Sequence, residues 1–462
     1  MARSAPVLGF LGLSAVLGAC PKEPLPPPIP PADTGIPVDR PDATPVDTAR
    51  PDTTPPPDTA VPDTSVPPDT ALPPDGATED GPAPDGPPRP FWCDSPVTPA
   101  TEVRGATVPE GFCVRRFGRI RHPRTLVFSP DGDLWVASPQ MVGAGGTGPG
   151  IGAIAVMPDD NRDGVAEDTV RYVDIARREE LDTVHGLLFA DGHLYYTVAD
   201  QVLRVPWARG ERRMPMTATP SVVAMLPDAE RWTHGLARHR DGTILVSMGI
   251  YGATFCPLRN VRQGAILAIG GATGAMGQVF SQGYRNPMYL RCYGWGECYA
   301  AELTDDGWFG PGHEKIVNFH RGEDYGYPCC YDRGRVSPTP RMGTVGCDTV
   351  TEGIQNYDVG FTPFGFDYEP GRWSGAFQNA IFVGLHGRVG SWEGTGIRWS
   401  PVDPSTHRPT RPPEVFLGGW GAGTPNNGRV ADLIFAPDGR MFFSDDQDGA
   451  VYWVAPRTLR MP

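Results

Sequence analysis

Four oxygen-bearing side chains in one short segment have the spacing of a calcium loop. The segment DDNRDGVAE supplies them from Asp159, Asn161, Asp163 and Glu167, and a glycine lies at the point where such a loop turns sharply. Hard cations prefer carboxylate and amide oxygens in this arrangement. A solvated turn stabilised by its own Asp and Asn side chains is the alternative interpretation. The sequence predicts a structural calcium site here.

The elements that would position functional residues come from a pattern repeated six times. Each copy has an apolar run, a Gly-containing turn that is often Pro-Asp-Gly, and a second apolar or aromatic run. Glycine tolerates the positive φ of tight hairpin turns, so each copy is predicted to form a β-hairpin. Six such copies predict an all-β fold, a six-bladed β-propeller whose loops meet at a central channel. The copies occupy 126–138, 185–198, 234–248, 290–302, 364–385 and 431–444.

Two further strand-like segments lie outside the repeats, at 112–120 and 451–455. We predict that they meet in one blade, which closes the ring and leaves no open sheet edge. The long stretches 303–361 and 387–428 are predicted to be loops on one face, because long propeller insertions are commonly functional loops.

The first 20 residues resemble an export signal. They contain a basic residue, an apolar stretch and the sequence Leu-Gly-Ala-Cys ending at Cys20. This ending is similar to a bacterial lipobox, in which the cysteine is lipidated; a plain secretory signal is the alternative. The apolar stretch is short for a membrane span. We predict an exported lipoprotein at the outer membrane or cell surface, held by its lipid only.

Residues 21–90 form a degenerate Pro-Asp-Thr repeat with few large apolar side chains. Such a composition cannot bury enough surface to offset the entropy of ordering, so a disordered, extended stalk is predicted. Residues 91–462 suffice for one large propeller domain. The formal net charge of the chain is −14, which argues against nucleic-acid binding.

Nine cysteines are present, and eight remain when Cys20 is set aside. An even number in an exported chain predicts disulfides. Local pairing favours Cys93–Cys113 and Cys292–Cys298. Cys347 would pair with Cys329 or Cys330, and Cys256 with the remaining member of that adjacent pair. No CxxC spacing supports a zinc site.

Several segments resemble the soluble quinoprotein sugar dehydrogenases of the glucose/sorbosone dehydrogenase family. The similarity spans about 108–456. Its most specific pieces are Arg285-Asn286-Pro287 and EDYGYP (323–328). The resemblance implies a six-bladed propeller that binds pyrroloquinoline quinone (PQQ) and calcium in its channel. It further implies oxidation of a sugar or related aldehyde or alcohol, with reoxidation by an external electron acceptor.

The resemblance also implies roles for individual residues. Arg285 and Asn286 match an Arg-Asn pair over the quinone oxygens, and Arg429 matches an arginine that reaches the cofactor. His386 falls where glucose dehydrogenases carry a lysine and the sorbosone branch commonly has His-Gly. Guanidinium groups suit PQQ because they pair with its carboxylates. Inter-blade salt bridges are the alternative role for the arginines.

In the family, a histidine five residues before the leucine of the third repeat takes the hydroxyl proton. Here that position holds Arg231, and His234 lies three residues further on. We predict His234 as the base, together with Arg285 and Asn286 as catalytic residues. His185 occupies the equivalent point of the second repeat, so both histidines could instead reflect blade architecture. The family's cofactor calcium corresponds to the segment 302–311, whose spacing departs from the usual pattern.

Two other functions stay open at this point. A non-catalytic propeller displayed on its stalk could bind a carbohydrate or a protein, and the displaced base favours it. A calcium-dependent hydrolase of the lactonase type would need Glu, Asn and Asp side chains converging in the channel, and no such set stands out in the sequence.

Overall fold

The computed structural model describes residues 90–462, with gaps at 142–148, 228–231, 251–254, 271–274, 305–311, 338–345, 388–393 and 421–427. The predicted signal with Cys20 and the stalk to residue 89 lie outside the described residues, as does Arg231. In the described part, the strands form six four-stranded antiparallel sheets and one two-stranded sheet. The predicted six-bladed β-propeller is confirmed.

Each blade has four strands, and the first strand given for each blade lies nearest to the channel. Blade one has β2 (Leu126–Phe128), β3 (Leu134–Ser138), β4 (Ala153–Met157) and β5 (Val170–Asp174). Blade two has β6 (Leu187–Ala190), β7 (His193–Thr197), β8 (Gln201–Pro206) and β9 (Ser221–Met225). Blade three has β10 (Leu236–Arg238), β11 (Ile244–Met248), β12 (Ala265–Ile269) and β13 (Gln278–Gln282).

Blades four and five follow in chain order, and blade six takes one strand from the other end of the domain. Blade four has β14 (Asn286–Cys292), β15 (Cys298–Leu303), β16 (Glu314–Asn318) and β19 (Gln355–Tyr357). Blade five has β20 (Pro363–Tyr368), β21 (Ile381–Leu385), β22 (Gly396–Ser400) and β23 (Glu414–Leu417). Blade six has β24 (Val430–Phe435), β25 (Met441–Asp445), β26 (Ala450–Pro456) and β1 (Phe112–Arg119).

A small hairpin and three short 3₁₀ helices complete the described elements. The hairpin is β17 (Cys330–Asp332) with β18 (Arg335–Val336), and the 3₁₀ helices are Trp92–Asp94, Glu179–Thr183 and Gly375–Phe377. No helix among the described residues has the length and apolar character needed to cross a membrane.

The first strands of the six blades form the wall of the channel. Each contacts the first strand of the next blade, and β24 contacts β2, so the contacts run around a closed ring. The first and second strands of every blade are antiparallel. The start of the first strand and the end of the second therefore lie at one end of the channel. We call this the upper end.

The Asp-Gly turns of the repeats have the predicted backbone. Gly132 and Gly439 adopt φ values of 94° and 89°, in the region that favours glycine. In the first of these turns, the Gly132 amide donates to Ser129 O and the Ser129 amide donates to Asp133 O. These turns lie at the lower end of the channel and join the first strand of a blade to the second.

Buried apolar side chains fill the space between neighbouring blades, and β3 (LWVAS) is buried along its whole length. Side chains alternate between the two faces of a strand. Leu134 and Val136 accordingly pack with blade six, while Trp135 and Ala137 pack with blade two. Burial on both faces explains why the second strands read as continuous apolar runs in the sequence.

The ring is closed as predicted by pairing the two ends of the domain. β1 lies antiparallel to β26, with Cys113 opposite Ala455 and Val114 opposite Val454. The blade is completed by two segments that are far apart in sequence, and β26 is not left as an unpaired edge strand.

The prediction that 303–361 and 387–428 are loops on one face is wrong in part. The first stretch supplies β16 and β19 of blade four, and the second supplies β22 and β23 of blade five. These outer strands lack a repeated turn motif, so the sequence pattern marked only the two inner strands of each blade.

One arginine links four blades across the channel. Arg291 of blade four donates to Phe366 O of blade five at 2.5 Å, and to Asp432 Oδ1 and Leu433 O of blade six at 2.9 and 2.7 Å. Asp432 Oδ2 in turn accepts from the Leu126 amide of blade one at 2.8 Å. This buried network fixes the relative positions of the blades that carry the site described below.

Four disulfides are present among the described residues: Cys93–Cys113, Cys256–Cys329, Cys292–Cys298 and Cys330–Cys347. Both predicted local pairs are confirmed. The adjacent cysteines Cys329 and Cys330 belong to different bridges, which resolves the choice left open by the sequence.

Removal of the first disulfide should cost more stability than removal of the shortest one. The Cys93–Cys113 bridge joins residues 20 apart and the Cys292–Cys298 bridge residues 6 apart. Loop-closure entropy then predicts losses of about 3 and about 2 kcal/mol for the paired alanine variants. Urea unfolding of the otherwise oxidised chains measures both. Equal losses, or the reverse order, would contradict the prediction.

Candidate functional site

Buried polar residues from several blades gather at the upper end of the channel. They directly precede a first strand, or lie two residues before it, or directly follow a second strand. Because the upper end is where first strands begin and second strands end, the fold brings these distant positions together. The buried residues at these positions are Arg124, His185, His234, Arg285, His386, Arg429 and Asp446.

The carboxylate of Asp446 joins three blades. Its Oδ2 atom lies 3.0 Å from His386 Nε2, 3.2 Å from Arg124 Nη1 and 4.0 Å from His122 Nδ1. Arg429 Nη2 lies 2.9 Å from His386 Nδ1 on the other side of that ring. We call His122, Arg124, His386, Arg429 and Asp446 the Asp446 cluster. Blades one, five and six supply it, and all five residues are buried.

His386 is held at both ring nitrogens. Its Nε2–H donates to Asp446, so Nδ1 accepts from Arg429. The ring stacks on Phe364 with centroids 4.1 Å apart. Burial, and next the charge of Arg429, lower the pKa of His386 to about 3. His386 is therefore a neutral connector between a cation and a carboxylate.

His122 presents a donor. Arg124 Nε donates to His122 Nε2 at 3.1 Å, so the proton of the neutral ring is on Nδ1. Nδ1 is buried and makes no hydrogen bond within the described residues. Burial, followed by the charge of Arg124, lowers the pKa of His122 to about 3. Nδ1–H is available to a ligand that accepts hydrogen bonds.

His185 presents an acceptor. Its Nδ1 lies 3.3 Å from the His234 carbonyl oxygen, so Nδ1 carries the proton and Nε2 keeps a lone pair. Nε2 is buried and has no hydrogen-bond partner among the residues that the structure describes. The ring lies beside Tyr289, with centroids 5.2 Å apart. Burial, and next the charge of Arg124, lower the pKa of His185 to about 3.

His234 is packed differently from His185. Its Nδ1 lies 2.9 Å from Ser247 O and its Nε2 lies 3.1 Å from Ala199 O. Both ring nitrogens thus face backbone carbonyls, and burial lowers the pKa of the ring. A proton acceptor needs an open lone pair, so this packing weighs against His234 as the base. The assignment stays a prediction.

Asn286 is the first residue of β14 and Arg285 directly precedes it, and a buried glutamate holds the backbone of both. Glu302 Oε1 accepts from the Arg285 amide at 2.6 Å, and Oε2 accepts from the Asn286 amide at 3.2 Å. Burial raises the pKa of Glu302 to about 8. Asn286 Oδ1 is buried without a hydrogen bond in the described part of the chain. Both predicted residues therefore lie at the upper end, in blade four.

The predicted calcium loop lies within blade one, between β4 and β5. Asn161 Oδ1 accepts from the Asp163 amide at 2.9 Å, and Glu167 Oε1 accepts from the Asn161 amide at 2.9 Å. Asp159 lies 3.4 Å from Arg440 Nη2 of blade six. The described residues contain no group of three or more Asp, Glu, His or Cys side chains placed to hold a metal. The four predicted ligands stay a prediction.

A second concavity lies at the lower end. It has a volume of about 740 Å³ and is lined by residues that include Tyr293, Trp295 and Tyr368. The two acids in its lining are already bound, since Asp367 accepts from Tyr293 Oη and Glu369 accepts from four backbone amides. This cavity therefore offers no free carboxylate, and we assign chemistry to the upper end.

Solved structures of a carbohydrate-active enzyme and of a dehydrogenase domain have the same propeller fold. A carbohydrate-active enzyme of family AA12 from Trichoderma reesei superposes with a TM-score of 0.62 at 17% identity, over 77% of this chain and 98% of that chain. The PQQ domain of a pyranose dehydrogenase from Coprinopsis cinerea gives 0.60 at 15% identity, over 76% and 97%. The chain has the sugar-dehydrogenase fold.

An oxidoreductase from Thermus thermophilus, described as a glucose dehydrogenase, has this sugar-dehydrogenase fold as well. It gives a TM-score of 0.52 at 20% identity, over 75% of this chain and 100% of that chain. Comparison with protein-family models and with curated proteins gives no match to the sequence.

The sequence motifs did not identify three residues of the site in this sugar-dehydrogenase fold: His122, Arg124 and Asp446. A signal for one of them does exist in the repeats. Arg124, His185 and His234 each stand two residues before the first leucine of a first strand. The repeat register alone could therefore have placed Arg124 beside the two histidines. Asp446 follows its strand directly and has no such marker.

Proposed function

We propose that this protein is a PQQ-dependent dehydrogenase that oxidises a sugar or a related aldehyde or alcohol. The observation that supports this most is the Asp446 cluster, which brings two buried arginines, two buried histidines and a carboxylate together at the end of the channel. The shared fold of the pyranose dehydrogenase PQQ domain supports the same cofactor.

The charges in the cluster suit an anionic cofactor. Arg124 and Arg429 both interact electrostatically with the carboxylate of Asp446. Burial and the neighbouring Arg124 lower the pKa of Arg429 to about 10, so its surroundings disfavour the positive charge. The nearby Asp445 accepts from Trp420 Nε1 and from backbone amides, and burial raises its pKa to about 7. An added carboxylate would be attracted to this group.

PQQ carries three carboxylates and an ortho-quinone, and the donors at the upper end fit it. Arg124 and Arg429 would hold carboxylates, because guanidinium groups pair with them through two hydrogen bonds. His122 Nδ1–H would donate to a further oxygen. Arg285 and Asn286 would lie over the quinone oxygens, as the family resemblance implies. When bound, the quinone would supply the hydride acceptor that the polypeptide lacks.

The polypeptide itself would bind and orient the cofactor and the substrate, and it would take the proton of the substrate hydroxyl. The burial of the cluster excludes water and strengthens each charged contact. A neutral imidazole must take the hydroxyl proton as the substrate is oxidised. An external electron acceptor would then reoxidise the cofactor. Anchorage through Cys20 at the outer membrane or cell surface would give access to such acceptors.

Calcium is part of the proposal, and a calcium structure of the Trichoderma enzyme is known. For the blade-one loop, calcium at about 100 times its dissociation constant should stabilise the chain by about 2.7 kcal/mol. Asp163→Asn should remove most of this gain, while Asp168→Asn, outside the predicted ligand spacing, should retain it. Thermal unfolding with and without EGTA measures both. Equal calcium responses in the two variants would exclude this loop.

The proposed function is tested by titrating the full chain with PQQ in millimolar calcium, followed by dye reduction with a panel of aldoses, alcohols and aldehydes. Saturable binding with turnover would support the dehydrogenase. Failure to bind PQQ would overturn it. That result would favour a non-catalytic, displayed propeller that binds a carbohydrate or protein, which the packing of His234 also favours.

A further inference from the structure

We propose that His185 of blade two is the proton acceptor of this site, through its Nε2 atom. The proposal rests on the proposed dehydrogenase function. It moves the base from the third blade, where the family resemblance would put it, to the second.

The orientation of the His185 ring is fixed by its surroundings. Its backbone amide donates to Thr197 O at 3.1 Å, and its Nδ1–H points to the His234 carbonyl. The same carbonyl accepts from Thr197 Oγ1 at 2.8 Å. Thr197 Oγ1 in turn accepts from the Gly186 amide at 2.7 Å. This network holds the proton on Nδ1 and leaves the Nε2 lone pair without a hydrogen-bond partner among the described residues.

The other buried histidines of the upper end cannot offer the same lone pair. His386 is engaged at both nitrogens by Asp446 and Arg429. His122 uses its lone pair to accept from Arg124. His234 faces two backbone carbonyls. Of these four rings, only His185 combines an unprotonated nitrogen with the absence of a hydrogen-bond partner among the described residues.

Groups from three other blades lie around the His185 ring. Blade one contributes Arg124 and His122, blade three contributes His234 and Trp232, and blade four contributes Tyr289. Burial and the Arg124 charge keep the imidazole neutral at physiological pH. A carboxylate bound to Arg124 would offset that charge and raise the proton affinity of Nε2. Cofactor binding would thereby improve the base.

The proton of the substrate hydroxyl would move to His185 Nε2 as its bond to oxygen breaks. Bound PQQ would accept the hydrogen of the adjacent carbon together with its electron pair, which is a two-electron reduction of the quinone. The carbon–oxygen single bond of the substrate would thereby become a carbonyl.

The decisive variant is His185→Asn. The asparagine amide can still donate to the His234 carbonyl in place of Nδ1–H, but it has no group at the position of Nε2. General-base catalysis commonly contributes about 10²–10⁴-fold, and we expect a loss of kcat in that range. PQQ affinity should change less than about threefold, since removing the base need not disturb cofactor binding. His193→Asn, in the same blade but away from the channel, is the matched control.

A second readout does not depend on activity. Nitrogen-15 NMR of the histidine-labelled full chain reports which ring nitrogen carries a proton. The resonance pair lost in His185→Asn should be that of a neutral ring protonated at Nδ1, and its Nε2 signal should shift when PQQ is added. If the asparagine variant does not fold, comparison of wild type with His185→Gln identifies the His185 resonances in the same way.

Three results would overturn the proposal: His185→Asn retaining kcat within tenfold of wild type, a larger loss in His234→Asn, or a proton found on Nε2 of the wild-type ring. In the first two cases the wild-type enzyme still turns over, so only the base assignment fails. If the wild type neither binds PQQ nor turns over, the proposed function fails together with this inference.

Discussion

The Arg429→Met variant is expected to bind PQQ much more weakly while the stability of the chain changes little. Truncating one partner of a buried charge pair typically costs about 2–5 kcal/mol, so the PQQ dissociation constant should rise by about 30- to 4,000-fold. The stability of the cofactor-free chain should hold within about 1 kcal/mol or increase, because burial and Arg124 disfavour this charge in the folded state. PQQ titration and urea unfolding measure the two effects.

Arg440→Met is the matched control for this experiment. Arg440 is also buried, but it pairs with Asp438 and Asp159 and lies over the Trp92 ring, outside the site. Its loss should lower stability and leave PQQ binding unchanged. If Arg429→Met instead lowers stability and keeps its affinity for PQQ, the role of Arg429 is that of an inter-blade salt bridge.

Asp446→Ala should have the largest effect on stability. The substitution leaves Arg124 buried without its carboxylate and removes the acceptor of His386. Breaking a buried ion pair from one side costs about 3–5 kcal/mol, and we expect a loss of that size in urea unfolding. The double variant Asp446→Ala/Arg124→Met should lose less than the sum of the two single variants, since Arg124 is then no longer buried without its carboxylate.

The pH dependence of this loss has a definite sign. Burial alone would raise the pKa of Asp446, but His386 and Arg124 hold it well below its usual range. The contribution of a carboxylate with a lowered folded-state pKa is complete above the unfolded-state value near 4, and it disappears as the pH falls through the folded-state pKa. Besides burial, Asp446 also raises the pKa of the neighbouring Asp445, which opposes stability more at high pH than at low pH. The difference between wild type and Asp446→Ala should therefore not decrease as the pH falls from 8 to 5. A difference that shrinks toward pH 5 would show that Asp446 is not held ionised by the cluster.

Much of the fold could be predicted because it depends on local chemistry that repeats. Asp-Gly turns between apolar runs, such as the one containing Gly132, mark the inner hairpin of each blade. The strand-like segments at the two ends of the domain predicted the closure of blade six. The outer strands of blades four and five were missed, since they follow long connections and carry no turn motif of their own.

The site was harder to predict, because its contacts join residues hundreds of positions apart. The resemblance pointed to His386 and Arg429, which the structure places in contact. It did not point to Asp446, whose partner Arg124 lies in another blade. The choice between His185 and His234 could not be made from sequence either, since both precede glycine at equivalent positions. It depends on which carbonyl each ring nitrogen meets.

The closure of blade six also places the two ends of the domain side by side. The Met461 amide donates to Pro90 O at 2.9 Å, and Phe91 pairs with Arg460. A short peptide could therefore join these ends, and a new break could be opened in an exposed turn such as the one at Gly210. In such a circular permutant, blade two and no longer blade six would be completed by strands from the two ends of the chain. Every contact at the upper end would be retained.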